Sequence, residues 1–306
     1  MKPRAAALLL LLLLVLPGCG LGPGKKRAGG VELRVTRDFG QQRLGTARVA
    51  HVREDETVMR LLRSRFDVGA RFGGRFVQSI DGVSGKGASG RRDWFYFVDG
   101  SEASVGAAEY ELSPGDVVQW DYRRWDGAMR VPAIVGAFPQ PFRSGIGGKR
   151  LPVRVECEDS GSDPCRTVKA RLRGLGVTAS GSALGVSGAT EAIRVVVGRW
   201  QAIRIVRRAA PLEEGPDRSG VFARFRNGGR ALELLDAGGQ TVRRAAPGTG
   251  LVAAASPGER EIVWLVTGVD PTGVERAARA LDRRSLRDAY AVAVDARGAE
   301  ELPLRP

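Results

Sequence analysis

Cys157 and Cys165 stand eight positions apart and bracket Glu158-Asp159-Ser160-Gly161-Ser162-Asp163-Pro164. Two thiols at that spacing can close a disulfide, stay a free dithiol or supply half of a metal site. A structural zinc site takes four ligands, mostly Cys and His, and His51, the single histidine, lies far away in sequence. The lone histidine also limits base-assisted nucleophiles. Ser84 and Ser89 sit in a glycine-rich loop without a visible base and read as turn residues. Neither a Gly-x-Ser-x-Gly elbow nor a His-Glu-x-x-His pair occurs. The acid pairs Glu213-Glu214 and Glu300-Glu301 lie in polar segments near prolines and read as solvated surface. Val266-Thr267-Gly268-Val269-Asp270-Pro271-Thr272-Gly273 reads as a strand, a loop and a helix start, where free N–H groups can hold an anion. It lacks the P-loop and dinucleotide patterns, and Asp270 is placed to cap the helix itself. These residues point to binding rather than catalysis. No catalytic residue, metal or cofactor is expected.

The N-terminus explains where such chemistry would happen. Met1-Lys2-Pro3-Arg4 is basic, Ala5 to Leu16 is apolar, and Leu16-Pro17-Gly18-Cys19 follows. A basic start, a short apolar run and a small residue at the cut make a secretory signal peptide over 1–18. Twelve helical residues rise only about 18 Å against a bilayer core of about 30 Å, which argues against a permanent span. The ending resembles a bacterial lipoprotein signal, with Pro17 where a small or aliphatic residue is usual. That resemblance implies a lipid on Cys19 and a place on the extracytoplasmic face of the cell membrane. Residues 19–30, with five glycines and Lys25-Lys26-Arg27, read as a flexible tether. In an exported chain with Cys19 lipidated, Cys157 and Cys165 read as a disulfide. Closing so short a loop is worth roughly 2–3 kcal/mol in the chain-entropy model.

The 306 residues carry a formal charge of +14, and lysine occurs only six times, so the basic charge is nearly all arginine. Coding bias accounts for this blandly; attraction to anionic lipid or wall polymer is the functional reading. No nucleic-acid motif occurs, and no nucleic-acid partner is expected. The length leaves room for about two domains.

The elements that must position these residues fall into two groups. Val31 to Thr36 alternates as a half-buried strand, and Ala47 to Arg53 reads as a second. Asp55 is placed to cap a helix presenting Val58, Leu61, Leu62 and Phe66 on one face. Phe76 to Ile80 and Trp94 to Val98 read as strands, the latter closed by the hairpin signal Asp99-Gly100. Ser113-Pro114-Gly115-Asp116 is a tight turn, and Val117 to Tyr122 closes the sheet. One helix across a small mixed sheet is a β-grasp-like arrangement.

Three ordered motifs support that reading. Gly74-Arg75-Phe76-Val77-Gln78-Ser79-Ile80-Asp81-Gly82, then Trp94-Phe95-Tyr96-Phe97-Val98-Asp99-Gly100, then Tyr110-Glu111-Leu112 with Gly115-Asp116-Val117-Val118-Gln119-Trp120 and Tyr122, resemble the transcobalamin-like C-terminal domain family over residues 31–127. Asp99 stands where that family usually has Asn. In vertebrate cobalamin carriers the domain covers one face of a corrin while a helical barrel, which nothing in this chain resembles, holds the other. Residue by residue, the resemblance implies a ligand face built from Gln78, Ser79, Ile80, Trp94 and Phe95, with cobalamin as the implied ligand. The bare strand alternation adds that Trp94 and Tyr96 share one face and Phe95 and Phe97 the other, and one of these faces is expected to be core.

Residues 128–150, rich in Pro and Gly, read as a linker packing partly against one neighbour. Residues 151–306 alternate strands with helices, from Leu151–Glu156 to a last strand at Tyr290–Asp295, and suggest an α/β layered domain of unknown function. The whole is expected to be α+β: a β-grasp-like N-terminal domain followed by the α/β domain. The function expected is a membrane-anchored binding lipoprotein taking a corrinoid or other amphipathic small molecule for an uptake transporter. A surface interaction module for protein or envelope polymer is the alternative.

Overall fold

A computed structural model describes residues 26–72, 76–84, 91–185, 191–207, 209–258 and 261–306. The signal segment, Cys19, Gly74, Arg75 and Ser89 lie outside these. The described chain is mixed α and β, with strands dominating.

The N-terminal unit contains β1 (Lys26–Arg37), β2 (Gln42–Arg53), α1 (Val58–Arg63), β3 (Val68–Arg71), β4 (Phe76–Ile80), β5 (Val83–Ser84), β6 (Arg92–Val98), β7 (Ser101–Glu102) and β8 (Val117–Arg124). The main sheet runs β2-β1-β8-β6-β7, with β1 and β8 parallel and the other pairs antiparallel; β3-β4-β5 form a small second sheet. Val31, Leu33 and Val35 of β1 join Val58, Leu61 and Leu62 of α1 and Trp94, Val118 and Trp120 in one core.

Two expectations are corrected here. The strand β1 begins at Lys26, inside the stretch expected as tether, because its backbone pairs with Val49 to Arg53 of β2 whatever its side chains are. The helix is capped by Thr57, whose hydroxyl accepts from Arg60 N at 3.2 Å, rather than by Asp55, whose carboxylate is taken by the Arg60 guanidinium at 2.7 Å.

The C-terminal unit contains β9 (Val153–Cys157), α2 (Asp163–Gly174), β10 (Ala179–Ala183), β11 (Ile193–Arg199), α3 (Trp200–Ile203), α4 (Pro216–Ser219), β12 (Ala223–Arg226), β13 (Ala231–Leu235), β14 (Thr241–Arg244), β15 (Gly250–Gly258), β16 (Glu261–Gly268), α5 (Pro271–Arg279), α6 (Arg283–Leu286), β17 (Ala291–Asp295) and β18 (Gly298–Leu302). Its seven-stranded sheet has the order β10-β9-β11-β16-β15-β17-β18. The central strands read as near-continuous apolar runs (Val195-Val196-Val197, Val263-Trp264-Leu265-Val266) because both faces are covered. Helices α2 and α5 cover one face. The β12-β13-β14 sheet, α3 and residues of the N-terminal unit cover the other. The longer helices α2 and α5 lie on one face and a small sheet with the single-turn α3 on the other, which makes this a mixed layering, and β18 continues the sheet past the strand expected to be last. Cys157 and Cys165 are disulfide-bonded and tie the end of β9 to the first turn of α2.

The stretch expected as a linker packing partly against one neighbour is packed more deeply than that. Val131 and Ala133 to Ala137 are buried, and Phe138 and Phe142 pack against Trp264 at 5.9 and 4.9 Å between ring centres. Its apolar residues fill the space between the two units, so it is a wedge and not a spacer.

The contact between the units is polar and buried. On β1 and β8 the residues facing away from the N-terminal core are Arg34, Thr36, Gln119, Asp121 and Arg123, all at 5% exposure or less. Asp121 accepts from Thr36 Oγ1 (2.7 Å), Phe39 N (2.9 Å), Gly40 N (3.1 Å) and the Tyr290 hydroxyl (3.1 Å). Asp288 accepts from Arg34 Nη1 at 3.2 Å and Arg43 Nε at 2.9 Å, and its carbonyl accepts from Gln119 Nε2 at 2.8 Å. Close approach demands glycine here: a Cβ on Gly40 would sit 1.8 Å from the Asp288 carbonyl oxygen, and one on Gly136 would sit 2.7 Å from its carbon.

Candidate functional site

The five residues expected to form a ligand face are not brought together as an open surface. Trp94 is 7% exposed and Ile80 1%; both belong to the N-terminal core. The Trp94 ring packs on Tyr122 at 5.2 Å and donates Nε1–H to the Val83 carbonyl at 3.2 Å. Phe95 points to the opposite face of β6, where the Arg123 guanidinium lies 3.8 Å over its ring. Gln78 and Ser79 are half-buried, and Gln78 Oε1 accepts from Arg71 Nε at 2.7 Å. Strand alternation thus sends the aromatic pairs of β6 into two different interiors. Among the described residues of this unit, the exposed aromatics are Phe72 (81%) and Phe76 (44%), which flank the β3–β4 connection.

The other sequence candidates are also placed. His51 is exposed on β2, and Ser84 is exposed on β5. Asp270 caps α5: its carboxylate accepts from Gly273 N at 2.9 Å and from Gly248 N at 2.6 Å, so the donors that an anion would need are in use. Glu213 is bonded to Arg204 and to Trp200 Nε1, and Glu300 to Arg243. Glu301 departs from the solvated reading: it is half-buried, and burial raises its carboxyl above the ordinary range.

A cleft of about 1060 Å³ opens where the two units and the wedge meet. One wall is the N-terminal unit: Ala28 to Glu32 of β1, Arg48 and Val49 of β2, and the Ser113–Val117 turn. The wedge supplies Ala137 to Gln140, Arg143 and Ser144, and α6 with its following turn supplies Arg283, Arg284 and Arg287. The turn and the wedge are held together by Gln140, which donates to the Gly115 carbonyl at 2.8 Å and accepts from Ser144 N at 3.0 Å.

The charge of this cleft is one-sided. Seven arginines line it (Arg34, Arg48, Arg143, Arg150, Arg283, Arg284 and Arg287) against two carboxylates, Glu32 and Asp116. Burial alone would raise the Glu32 carboxyl, but its bond to Arg34 at 2.9 Å and the charges of Arg34, Arg48 and Arg287 hold it below the ordinary range. Glu32 is therefore already shared among three guanidinium groups. Among the described residues, Arg143, Arg150, Arg283 and Arg284 make no ion pair and no side-chain hydrogen bond. Convergent unpaired guanidinium groups in a concave site raise the local concentration of anions and match carboxylate or phosphate oxygens in pairs.

Beneath the cleft lies a buried acid pair. Asp99 takes a positive φ in the hairpin turn, and its carboxylate accepts from Val117 N at 2.8 Å and from Ser144 Oγ at 2.6 Å. Burial and then the neighbouring Asp116 charge push the Asp99 carboxyl well above its ordinary value, against those two bonds. Among the described residues, no group of His, Cys, Asp and Glu side chains could hold a metal ion. No helix among them is long and apolar enough to cross a membrane.

Comparison with known proteins gives a partial assignment. The family described as a domain of unknown function (DUF4430) matches residues 55–124, within the N-terminal unit. No curated protein matches the chain. Among solved structures, a "putative metal binding protein" from Ruminococcus gnavus ATCC 29149 is similar at 17% identity, over 31% of this chain and 97% of that one, with a TM-score of 0.25. A score that low carries no argument about fold or function.

Sequence reasoning missed the arginine cleft. Its contributors are scattered from Arg34 to Arg287, and each looked like one more arginine in an arginine-rich chain. The available signal was the pairing of Arg283-Arg284 with Arg287 in a short segment.

Proposed function

We propose that this protein is a lipid-anchored binding protein of the extracytoplasmic membrane face, and that its ligand is an anion-bearing small molecule held in the arginine cleft. The single observation that carries this reading is the convergence of Arg143, Arg150, Arg283 and Arg284, none of them neutralised among the described residues, on one cleft between the two units. A transcobalamin-like, β-grasp N-terminal domain is supported by the sheet order β2-β1-β8-β6 with β1 and β8 parallel and a helix between the hairpins. On that resemblance a corrinoid is the first ligand to test, passed onward to an uptake transporter. Cobalamin carries a phosphodiester that cobinamide lacks, so the two together read the contribution of an anion. The lipid on Cys19 is supported by the signal-like ending before it.

Calorimetric titration of the purified mature chain is the test. Saturable binding of cobalamin, weaker for cobinamide and lowered at least tenfold by Arg283→Ser with Arg284→Ser, is the expected result. Corrinoid binding untouched by those changes would move the site to β4 and β6. No binding of either, or of simple organic phosphates, would remove the reading. A second reading, a surface interaction module, is favoured by the exposed Phe72 and Phe76. It predicts partner capture that is lost in Phe72→Ser and indifferent to the cleft arginines.

A further inference from the structure

An apolar groove of about 570 Å³ adjoins the cleft, and the two share Phe138 and Arg283 as lining residues. The groove is made by Thr167, Ala170 and Leu175 along α2 and its end, faced by Leu281 before α6. Phe138 is a fixed partition, 5% exposed and packed on Phe142 and Trp264. One carboxylate lines the groove, that of Asp282, and it is engaged elsewhere. It accepts from Arg284 N and Ser285 N, both at 2.9 Å, to cap α6. Arg171, at the other side, donates to the Arg279 carbonyl at 2.9 Å. What remains toward the groove is largely hydrocarbon, and burying hydrocarbon there is favourable.

We infer that the ligand is a dissolved, monomeric amphiphile with an anionic head and an alkyl or aryl arm. The head, a phosphate or carboxylate, lies among the unpaired arginines; the arm passes Phe138 into the groove. Two observations point to this occupant: unpaired guanidinium groups gather on the cleft side of Phe138 and Arg283, while the groove side is mostly hydrocarbon, with its Arg171 bonded to the Arg279 carbonyl. A ligand with only a charged head would leave the groove to water, and a neutral hydrophobe would leave the arginines unmatched. This inference rests on the cleft being the binding site. It adds that chain length, and not charge alone, selects the ligand.

The test titrates the full mature chain with methyl, butyl, hexyl and octyl phosphate below their aggregation limits, beside octyl glucoside. The expected result is that methyl phosphate binds weakly and that affinity rises toward octyl phosphate by up to about fourfold for each fully buried methylene, with octyl glucoside far weaker. Ala170→Trp, at an exposed helical position, and Thr167→Trp, both of which fill the groove without changing its charge, abolish the chain-length gain, while methyl phosphate, which reaches only the cleft, keeps its affinity. Equal affinity across the series would overturn the inference while leaving the anion site standing. If no phosphate ester binds, methyl phosphate included, the cleft reading falls with it. Binding only to vesicles of anionic phospholipid, without dissolved octyl phosphate, would also overturn it, since the occupant would then be a bilayer surface.

Discussion

The aromatic strand β6 and the arginine cleft are built in opposite ways. In β6, conspicuous residues are closed off: Trp94 and Tyr96 pack into the N-terminal core, where Tyr96 stacks on Trp120 at 4.9 Å, and Phe97 packs against Tyr290 at 5.4 Å between the units. In the cleft, inconspicuous residues are left open, with four guanidinium groups unpaired among the described residues. A large aromatic side chain has a strong reason to be buried in any fold, because it removes much apolar area from water. An unpaired arginine contributes little to stability where it stands, so several in one concavity are more informative about a ligand.

That contrast can be broken by mutation, most forcefully at the buried residues. Trp94→Ala is expected to cost about 3–5 kcal/mol in urea unfolding, as large aromatic truncations in cores do. A Trp94→Ala protein with unchanged stability and lost ligand would mean that the aromatic face is the site. Asp288→Ala removes one of the two carboxylates on the buried Arg34 guanidinium, which keeps Glu32 and the Gly136 carbonyl, and is expected to destabilise by about 1.5–3 kcal/mol, read in the same unfolding curve. Restoration by Asp288→Asn would show instead that charge is unimportant at that junction.

Effects of similar or smaller size follow. Replacing both Cys157 and Cys165 by Ser should lower stability by roughly 2–3 kcal/mol, measured against the wild type with and without reductant; equal loss on reduction of the wild type identifies the bond as the cause. Asp99 sharpens the comparison through pH. Its folded carboxyl is raised by burial and by Asp116, so the folded state binds its proton more tightly than the unfolded chain. The stability gained is full below the unfolded value and is lost as pH rises through the folded one. Asp99→Asn should therefore flatten the fall in melting temperature above the ordinary carboxylate range. A fall of unchanged steepness would assign the pH dependence to other groups. The smallest expected change in stability, within about 0.5 kcal/mol, belongs to Arg283→Ser and Arg284→Ser, although these are the changes expected to weaken the proposed binding at least tenfold.

Much of the element order is legible in the sequence, because period and turn chemistry are local. The hairpin at Asp99-Gly100, with φ of 53° and 83°, is where the Asp-Gly signal puts it, and Asp270 caps its helix. What local pattern cannot show is which faces meet. In Val117-Val118-Gln119-Trp120-Asp121-Tyr122-Arg123 the alternation separates core from polar residues correctly, but a polar alternate normally means solvent. Here Gln119, Asp121 and Arg123 are all at 0% exposure, because the C-terminal unit covers them and supplies Tyr290 and the Asp288 carbonyl as partners. The same docking turns a Pro- and Gly-rich stretch into a buried wedge. The cleft was illegible for a related reason: its arginines come from three segments joined only by that docking.

The early start of β1 has a further consequence. Cys19 and Lys26 are seven positions apart, which spans at most about 25 Å of extended chain. With the proposed lipid on Cys19, the sheet is moored on a short line rather than a long one, and Ala28 to Gly30, which line the cleft, lie near the start of its first strand. Such a protein samples a thin layer of solvent above the headgroups, where amphiphiles leaving or approaching the bilayer are locally concentrated. Its effective ligand supply would then be set by the membrane beside it, more than by the bulk medium.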